Sequence, residues 1–392
     1  MKKEKRQQKK KTGWQQVLTM GLFMAIGGVA GLMIGSFAGK TMDEGGTLGD
    51  IAPTVISLIL GLYAAMYLHI ALHEAGHLLF GLLSGYGFSS YRVGSFMVVK
   101  ESGKLRFRRL SIAGTGGQCL MTPPELVDGK MPYVLYNLGG CIVNVALGLV
   151  CLLVGFTLRE GSLWRMLMMI SAAVGFGFGL VNGIPMNMGA VNNDGQNAVS
   201  LGKDPAALRS FWVQMKINET IARGIRLKDM PEAWFALPEE SQMGNAMVAS
   251  LAVFATNRYM DAQEFDKAAE LLEHLIEMES GITGLHKGMM ICDLAYCEMI
   301  GQNRPEKLER LQTKEQKQFM KSMKTFPTVV RTEYAYALLQ EKDMKKAEKL
   351  QGEFEKLAKN YPYPSDIQSE RELMEIAAGK RPNPLAVREE LG

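Results

Sequence analysis

The sequence has little cysteine, and what it has is arranged against the usual uses. The five residues Cys119, Cys141, Cys151, Cys292 and Cys297 are odd in number and scattered, with no CxxC pair. That pattern excludes a disulfide framework and a thiolate zinc site. Cys292 and Cys297, five residues apart, read as helix packing. Charge of one sign is also scarce: the formal net charge is +4. The basic residues flank apolar segments and form no single stripe, which argues against a nucleic-acid partner. The most informative scarcity lies between Ile51 and Leu83. Apart from tyrosines, the ionisable side chains there are His69, His73, Glu74 and His77 alone. Ionisable groups in an apolar stretch of membrane length are costly and mark a functional site.

Mean hydropathy is near zero, but the average hides two unlike parts. Residues 14–200 hold long apolar runs rich in Gly and Met, whereas residues 203–392 are dense in Lys, Glu and Gln with helical periodicity. The basic tract 1–13 precedes an apolar run too long for a signal peptide and without a convincing cleavage site. Four membrane helices are predicted, at 17–38, 52–83, 133–158 and 163–185. Glycines at 27, 31 and 35 in the first form GxxxG spacings, which suit close helix contact. Lys and Arg cluster before the first helix and in the 86–132 loop, while Asp43, Glu44 and Asp50 lie in the short loop between helices one and two. The positive-inside bias therefore puts the N-terminus, the 86–132 loop and the C-terminal domain in the cytoplasm.

The second run contains HEAGH. His73 and His77 are four apart and share one helix face, so two imidazoles can grip one metal ion. Glu74 stands next to the first histidine, placed to take a proton from a water that the ion activates. His69, one turn earlier on the same face, reads as a supporting residue. A third protein ligand would leave one tetrahedral position open for water. Asp194, after the helix-breaking Pro185, is the only carboxylate between Glu160 and Asp204. It falls at the same membrane side as HEAGH and supplies that ligand, or else it caps a helix; Asp204 is the fallback. Asn144, an amide inside the third run, requires either a neighbouring helix or a substrate backbone as partner.

Between the second and third runs, SYRVGSFMVVKESGKLRFRRLSI reads as two strands turning at Glu101–Lys104. Such a hairpin beside a cleft could hold an extended substrate by strand addition. AGTGGQCLMTPPE follows, and its Gly and Pro content predicts a re-entrant or interfacial loop with no regular helix. In the C-terminal part, RYMDAQEFDKAAELLEHLIE and YAYALLQEKDMKKAEKLQGEFEKLAKNYP align with Phe265 on Met344 and Ala268 on Ala347. Each gives a helix, a turn and an Ala-containing amphipathic helix, in a register similar to tetratricopeptide repeats but without their Trp-Leu-Gly. Residues 285–323 fit a further pair, and stacked pairs would offer a concave surface to a protein partner.

Residues 51–200 resemble the site-2 protease family of intramembrane zinc metalloproteases. The resemblance rests on HEAGH in an apolar helix, on Gly140 and Asn144 in the next, and on Asn182, Pro185 and Asp194–Gly195 after the last. It implies that His73, His77 and Asp194 bind Zn²⁺, that Glu74 activates water and that Asn144 contacts the substrate. Pro185 and Asp194 are nine apart where the family spacing is shorter, Cys141 stands where the family often has Pro, and no PDZ-like segment is visible. The expectation is an α-helical multi-pass membrane protein with a small cytoplasmic β-hairpin and a C-terminal all-α, tetratricopeptide-like domain. Its expected activity is zinc-dependent hydrolysis of peptide bonds in membrane protein substrates near the cytoplasmic side of the cell membrane. The rival expectation is an inactive membrane adaptor with a structural metal and a partner-binding helical tail.

Overall fold

The structure is a computed structural model that describes residues 2–101, 103–110, 115–186 and 192–379. The chain divides into two compact units, residues 1–93 with 116–208 and residues 94–115 with 209–392. Helices α1 (Lys2–Asp43), α2 (Leu48–Leu83), α3 (Val134–Thr157), α4 (Leu163–Gly183) and the short α5 (Asp194–Ser200) build the first unit. Among the described residues, α2, α3 and α4 are long and apolar enough to cross a membrane. The predicted first span, 17–38, lies inside α1, which continues through the basic tract as one helix. Several side chains of that span fall outside the described residues.

Local chemistry explains where α2 begins and ends. Thr47 and Asp50 form a capping box, the Thr47 backbone N–H donating to Asp50 Oδ2 at 2.8 Å. Pro53 lies inside the helix, in its second turn, and leaves the Gly49 carbonyl without its helical N–H donor. At the other end Gly85 takes φ +84 and turns the chain out of the helix. At 1.5 Å per residue the 36-residue helix is about 54 Å long, so it exceeds a bilayer core of about 30 Å. Small residues let α2 meet α3 backbone to backbone. A Cβ on Gly76 would stand 2.4 Å from the Gly139 carbonyl oxygen, and one on Gly139 would stand 2.5 Å from that of Gly76. The glycine of HEAGH is therefore a packing residue.

The 86–132 loop holds more sheet than the expected hairpin. Its strands are β1 (Gly87–Val93), β2 (Phe96–Glu101), β3 (Lys104–Arg109) and β4 (Gly117–Thr122). The turn at Glu101–Lys104 is as expected, with Gly103 at φ +82. The first expected strand breaks at Gly94, φ +58, into β1 and β2. The stretch expected to be an interfacial loop contains β4, paired antiparallel with β1 in the first unit. In the second unit β2 and β3 pair antiparallel. One face of that hairpin is core: Met97 and Val99 are buried with Leu110 and Ala222, and the half-buried Tyr361 and Tyr363 pack against them. Phe96, Leu105 and Phe107 remain exposed.

The second unit is otherwise helical. After α6 (Pro205–Ala222) come α7 (Ala246–Asp261) with α8 (Phe265–Glu277), and α9 (Gly284–Ile300) with α10 (Pro305–Leu311) and α11 (Lys314–Ser322). Then follow α12 (Pro327–Leu339) with α13 (Met344–Ala358), and α14 (Pro364–Gly379). The expected alignment of Phe265 with Met344 is seen as two helix starts in the same register. Gln263, Asn303 and Lys342 each adopt positive φ two residues before the second helix of a pair. Ala268, Leu308 and Ala347, each three residues into that helix, are all buried in one core. The middle segment departs from a simple pair, because its second helix is split into α10 and α11.

Candidate metal centre

About two and a half turns of α2 carry every histidine of the first unit. His69, His73, Glu74 and His77 are all buried. Across from them α3 brings Tyr136, Gly140 and Asn144, and the chain after α4 brings Asp194 at the first residue of α5. Close approach at the first histidine requires a glycine: a Cβ on Gly140 would lie 2.6 Å from the His73 ring.

Asp194 reaches the histidines because its neighbour ties the chain down. Asn193 caps α5, its Oδ1 accepting from Gln196 N–H at 2.9 Å and from Met186 N–H at 3.0 Å. Its Nδ2 donates to the carbonyls of Val181 at 2.8 Å and Ile184 at 2.6 Å. One carboxamide thus uses both ends to staple the end of α4 to the start of α5. The cap reading of Asp194 is thereby assigned to Asn193 instead. Residues 187–191 lie outside the described residues.

Three potential ligand atoms converge. His73 Nε2 is 3.0 Å from Asp194 Oδ2, His77 Nε2 is 3.4 Å from the same oxygen, and the two Nε2 atoms are 3.1 Å apart. Among the described residues, His73, His77 and Asp194 are the group able to hold a metal ion. The remaining nitrogens are engaged behind them. His77 Nδ1 donates to the Tyr136 carbonyl at 2.7 Å, which leaves a lone pair on Nε2. Asn144 is completely buried, 3.0 Å from His73 Nδ1 through Nδ2 and 3.2 Å from His69 Nδ1 through Oδ1. His69 Nε2 continues to Ser171 Oγ at 3.3 Å. With a metal on His73 Nε2, Nδ1 carries hydrogen. A half-turn of the Asn144 carboxamide then offers it the oxygen and gives the amide to His69. The expected substrate amide thus lies between two histidines.

Burial works to raise the Asp194 carboxyl, and the His73 and His77 imidazoles against it outweigh that, holding it well below the usual carboxylate range. The Cys141 thiol lies 3.9 Å from Asp194 Oδ2. Glu74 takes no hydrogen bond from a described residue, and it lies within electrostatic reach of His77, His73, Asp194 and Arg92. β4 begins against it: a Cβ on Gly117 would stand 2.6 Å from Glu74 Oε1. Arg92, on β1, is buried and donates to the Gly117 carbonyl at 3.2 Å. Asp204 is placed elsewhere, capping α6 with Oδ1 accepting from Ala206 N–H at 3.0 Å and Ala207 N–H at 3.2 Å.

Sequence reasoning missed Asn193, Ser171, the Tyr136 carbonyl and Gly117. For Asn193 the signal was available as Asn directly before Asp-Gly, the side chain best suited to cap a helix there. Backbone carbonyls and close-approach glycines leave no such mark. No protein-family model, curated protein or solved structure matches the chain.

Proposed function

We propose that this chain is a membrane-embedded zinc endopeptidase that cleaves membrane protein substrates near the cytoplasmic side of the bilayer, in the manner of the site-2 proteases that it resembles. The observation that carries the reading is the triangle of His73, His77 and Asp194, with sides of 3.0, 3.1 and 3.4 Å. Ligands about 2.0 to 2.1 Å from a tetrahedral zinc ion lie about 3.3 Å from one another. Two imidazoles and one carboxylate suit zinc better than magnesium or calcium, which favour all-oxygen shells. Three protein ligands leave a fourth position, which is the pattern of catalytic and not structural sites.

When bound, zinc supplies Lewis-acid polarisation of a carbonyl and brings the pKa of a water towards neutrality. The rest falls to the chain. Glu74 Oε accepts the proton of the attacking water and returns it to the leaving amine nitrogen. Its carboxylate is free of hydrogen bonds from described residues, so it can take on that proton. Asn144 and the Tyr136 carbonyl fix the two rings, while Asn193 holds Asp194 in reach. Substrate helices must unwind to present an extended backbone.

The test is purified protein in detergent with a fluorogenic membrane peptide. Wild-type protein should carry about one zinc and cleave, with chelation abolishing cleavage and zinc restoring it. Zinc with no cleavage of any peptide in a substrate panel would favour the adaptor reading.

A further inference from the structure

The helical unit contains a cavity of about 320 Å³ whose walls come from α6, α7, α9, α12 and α14. Its two guanidiniums are already consumed. Arg331 is completely buried, gives Nε to Glu370 at 2.8 Å, pairs with Asp293, and lies 4.4 Å over the Tyr296 ring. Arg226 donates to Asp261 Oδ1 at 2.9 and 2.7 Å and also pairs with Glu372. Neither arginine is left to receive an anion.

What remains on the wall is largely apolar, with one unmatched carboxylate and two carboxamides. Asp366, in the first turn of α14, makes no hydrogen bond or ion pair with a described residue, and its electrostatic neighbours Glu370 and Asp261 are carboxylates. The carboxamides of Asn218 and Asn257 face the same cavity and likewise bond to no described residue. Of the lining carboxylates, Asp261, Asp293 and Glu370 already pair with Arg226 or Arg331, which leaves Asp366 as the unmatched one. Leu285, Met289 and Phe326 make part of the wall apolar.

We propose that this cavity binds the ammonium end of a primary amine, carried by a lysine side chain of a peptide or by a polyamine, with Asp366 as its counter-ion and Asn218 and Asn257 as further hydrogen-bond partners. An ammonium brings three donors and one positive charge, which answers both deficits of the wall. The apolar side suits a methylene stem, and the volume lies at the small end of ligand pockets. The site uses none of the residues assigned to the metal centre.

Calorimetric titration of the full chain in detergent, at neutral pH and low salt, tests this with three probes: acetyl-Gly-Lys-Gly-amide, spermidine and acetyl-Gly-norleucine-Gly-amide. At least one amine should bind with one-to-one saturation, and the neutral peptide at least about tenfold more weakly. Binding by the lysine peptide alone identifies a protein source, and binding by spermidine alone a polyamine. Asp366→Asn should lose about tenfold or more in affinity with an unchanged far-ultraviolet circular dichroism spectrum, and Asn257→Ala several-fold. The proposal is overturned if neither amine saturates, or if the neutral peptide binds as well as the charged one. It is equally overturned by unchanged affinity in Asp366→Asn or, should that variant not fold, in Asn257→Ala. Because binding is read without cleavage, its failure leaves the zinc reading untouched.

Discussion

Both units bury charged and polar groups, and they do so in opposite ways. In the helical unit the carboxylates of Asp293, Glu370, Asp261 and Glu372 meet the donors of Arg331 and Arg226, so attraction is complete within the protein. In the first unit the Nε2 atoms of His73 and His77 and Oδ2 of Asp194 crowd one another within 3.4 Å. Atoms so placed could hold a metal ion among them. The comparison teaches that burial of charge is not itself a functional signal. Closed networks describe structure; acceptors converging on acceptors describe a ligand site.

The comparison breaks most sharply at Asp194. Asp194→Ala should lower zinc affinity by about a thousandfold while the helices still form, whereas Asp204→Ala should leave zinc untouched and cost about 1 kcal/mol of local helix stability through the lost cap. Metal analysis after dialysis against a competing chelator reads the first, and a thermal melt reads the second. Zinc retained in Asp194→Ala and lost in Asp204→Ala would transfer the ligand role.

The closed network should behave oppositely. Arg331→Ala leaves Asp293 and Glu370 without their cation, Glu370 keeping only the Thr328 hydroxyl, which costs about 3–5 kcal/mol. Denaturant unfolding of the helical unit should shift by that amount with zinc content unchanged. A loss of zinc in this variant would join two sites held here to be separate.

Between these extremes stand the residues behind the ligands. Asn144→Ala and His69→Phe should each weaken zinc binding about 10- to 100-fold, since orienting partners have effects of that size. If Asn144→Ala instead left affinity intact and raised only the KM for substrate, its role would be the substrate contact implied by the family resemblance.

The smallest expected effect concerns pH. Burial, with Glu370 and Asp261 nearby, pushes the Asp366 carboxyl up to about 7. A carboxyl raised on folding favours the folded state while protonated. That contribution is complete below its unfolded value near 3.8 and is lost as pH rises through about 7. Stability of the helical unit should therefore fall across this window, and Asp366→Asn should flatten the fall by a few degrees in Tm. An identical pH profile in the variant would remove Asp366 as its source.

Much of this was legible because hydrophobicity and spacing write themselves into sequence. The apolar runs gave α2, α3 and α4 within a few residues, and HEAGH needed only helical periodicity to put His73 and His77 together. Asp194 was readable as a carboxylate isolated after a helix-breaking proline, although nine residues separate it from Pro185. What was not legible depended on backbone contacts. AGTGGQCLMT looked like a loop because glycine disfavours regular structure, yet Gly117 serves there to let β4 approach Glu74. The split of α10 from α11 and the partnership of Asn144 with His69 likewise depend on tertiary neighbours that no local pattern records.

The central claim is that Glu74 does chemistry at a metal that it does not hold. Glu74→Gln keeps the size and removes the base, so zinc content and cleavage of a membrane peptide, measured on the same preparation, separate the two roles. The expected result is about one zinc per chain with cleavage reduced by about 10³-fold or more. Cleavage near the wild-type rate with zinc still bound would contradict it.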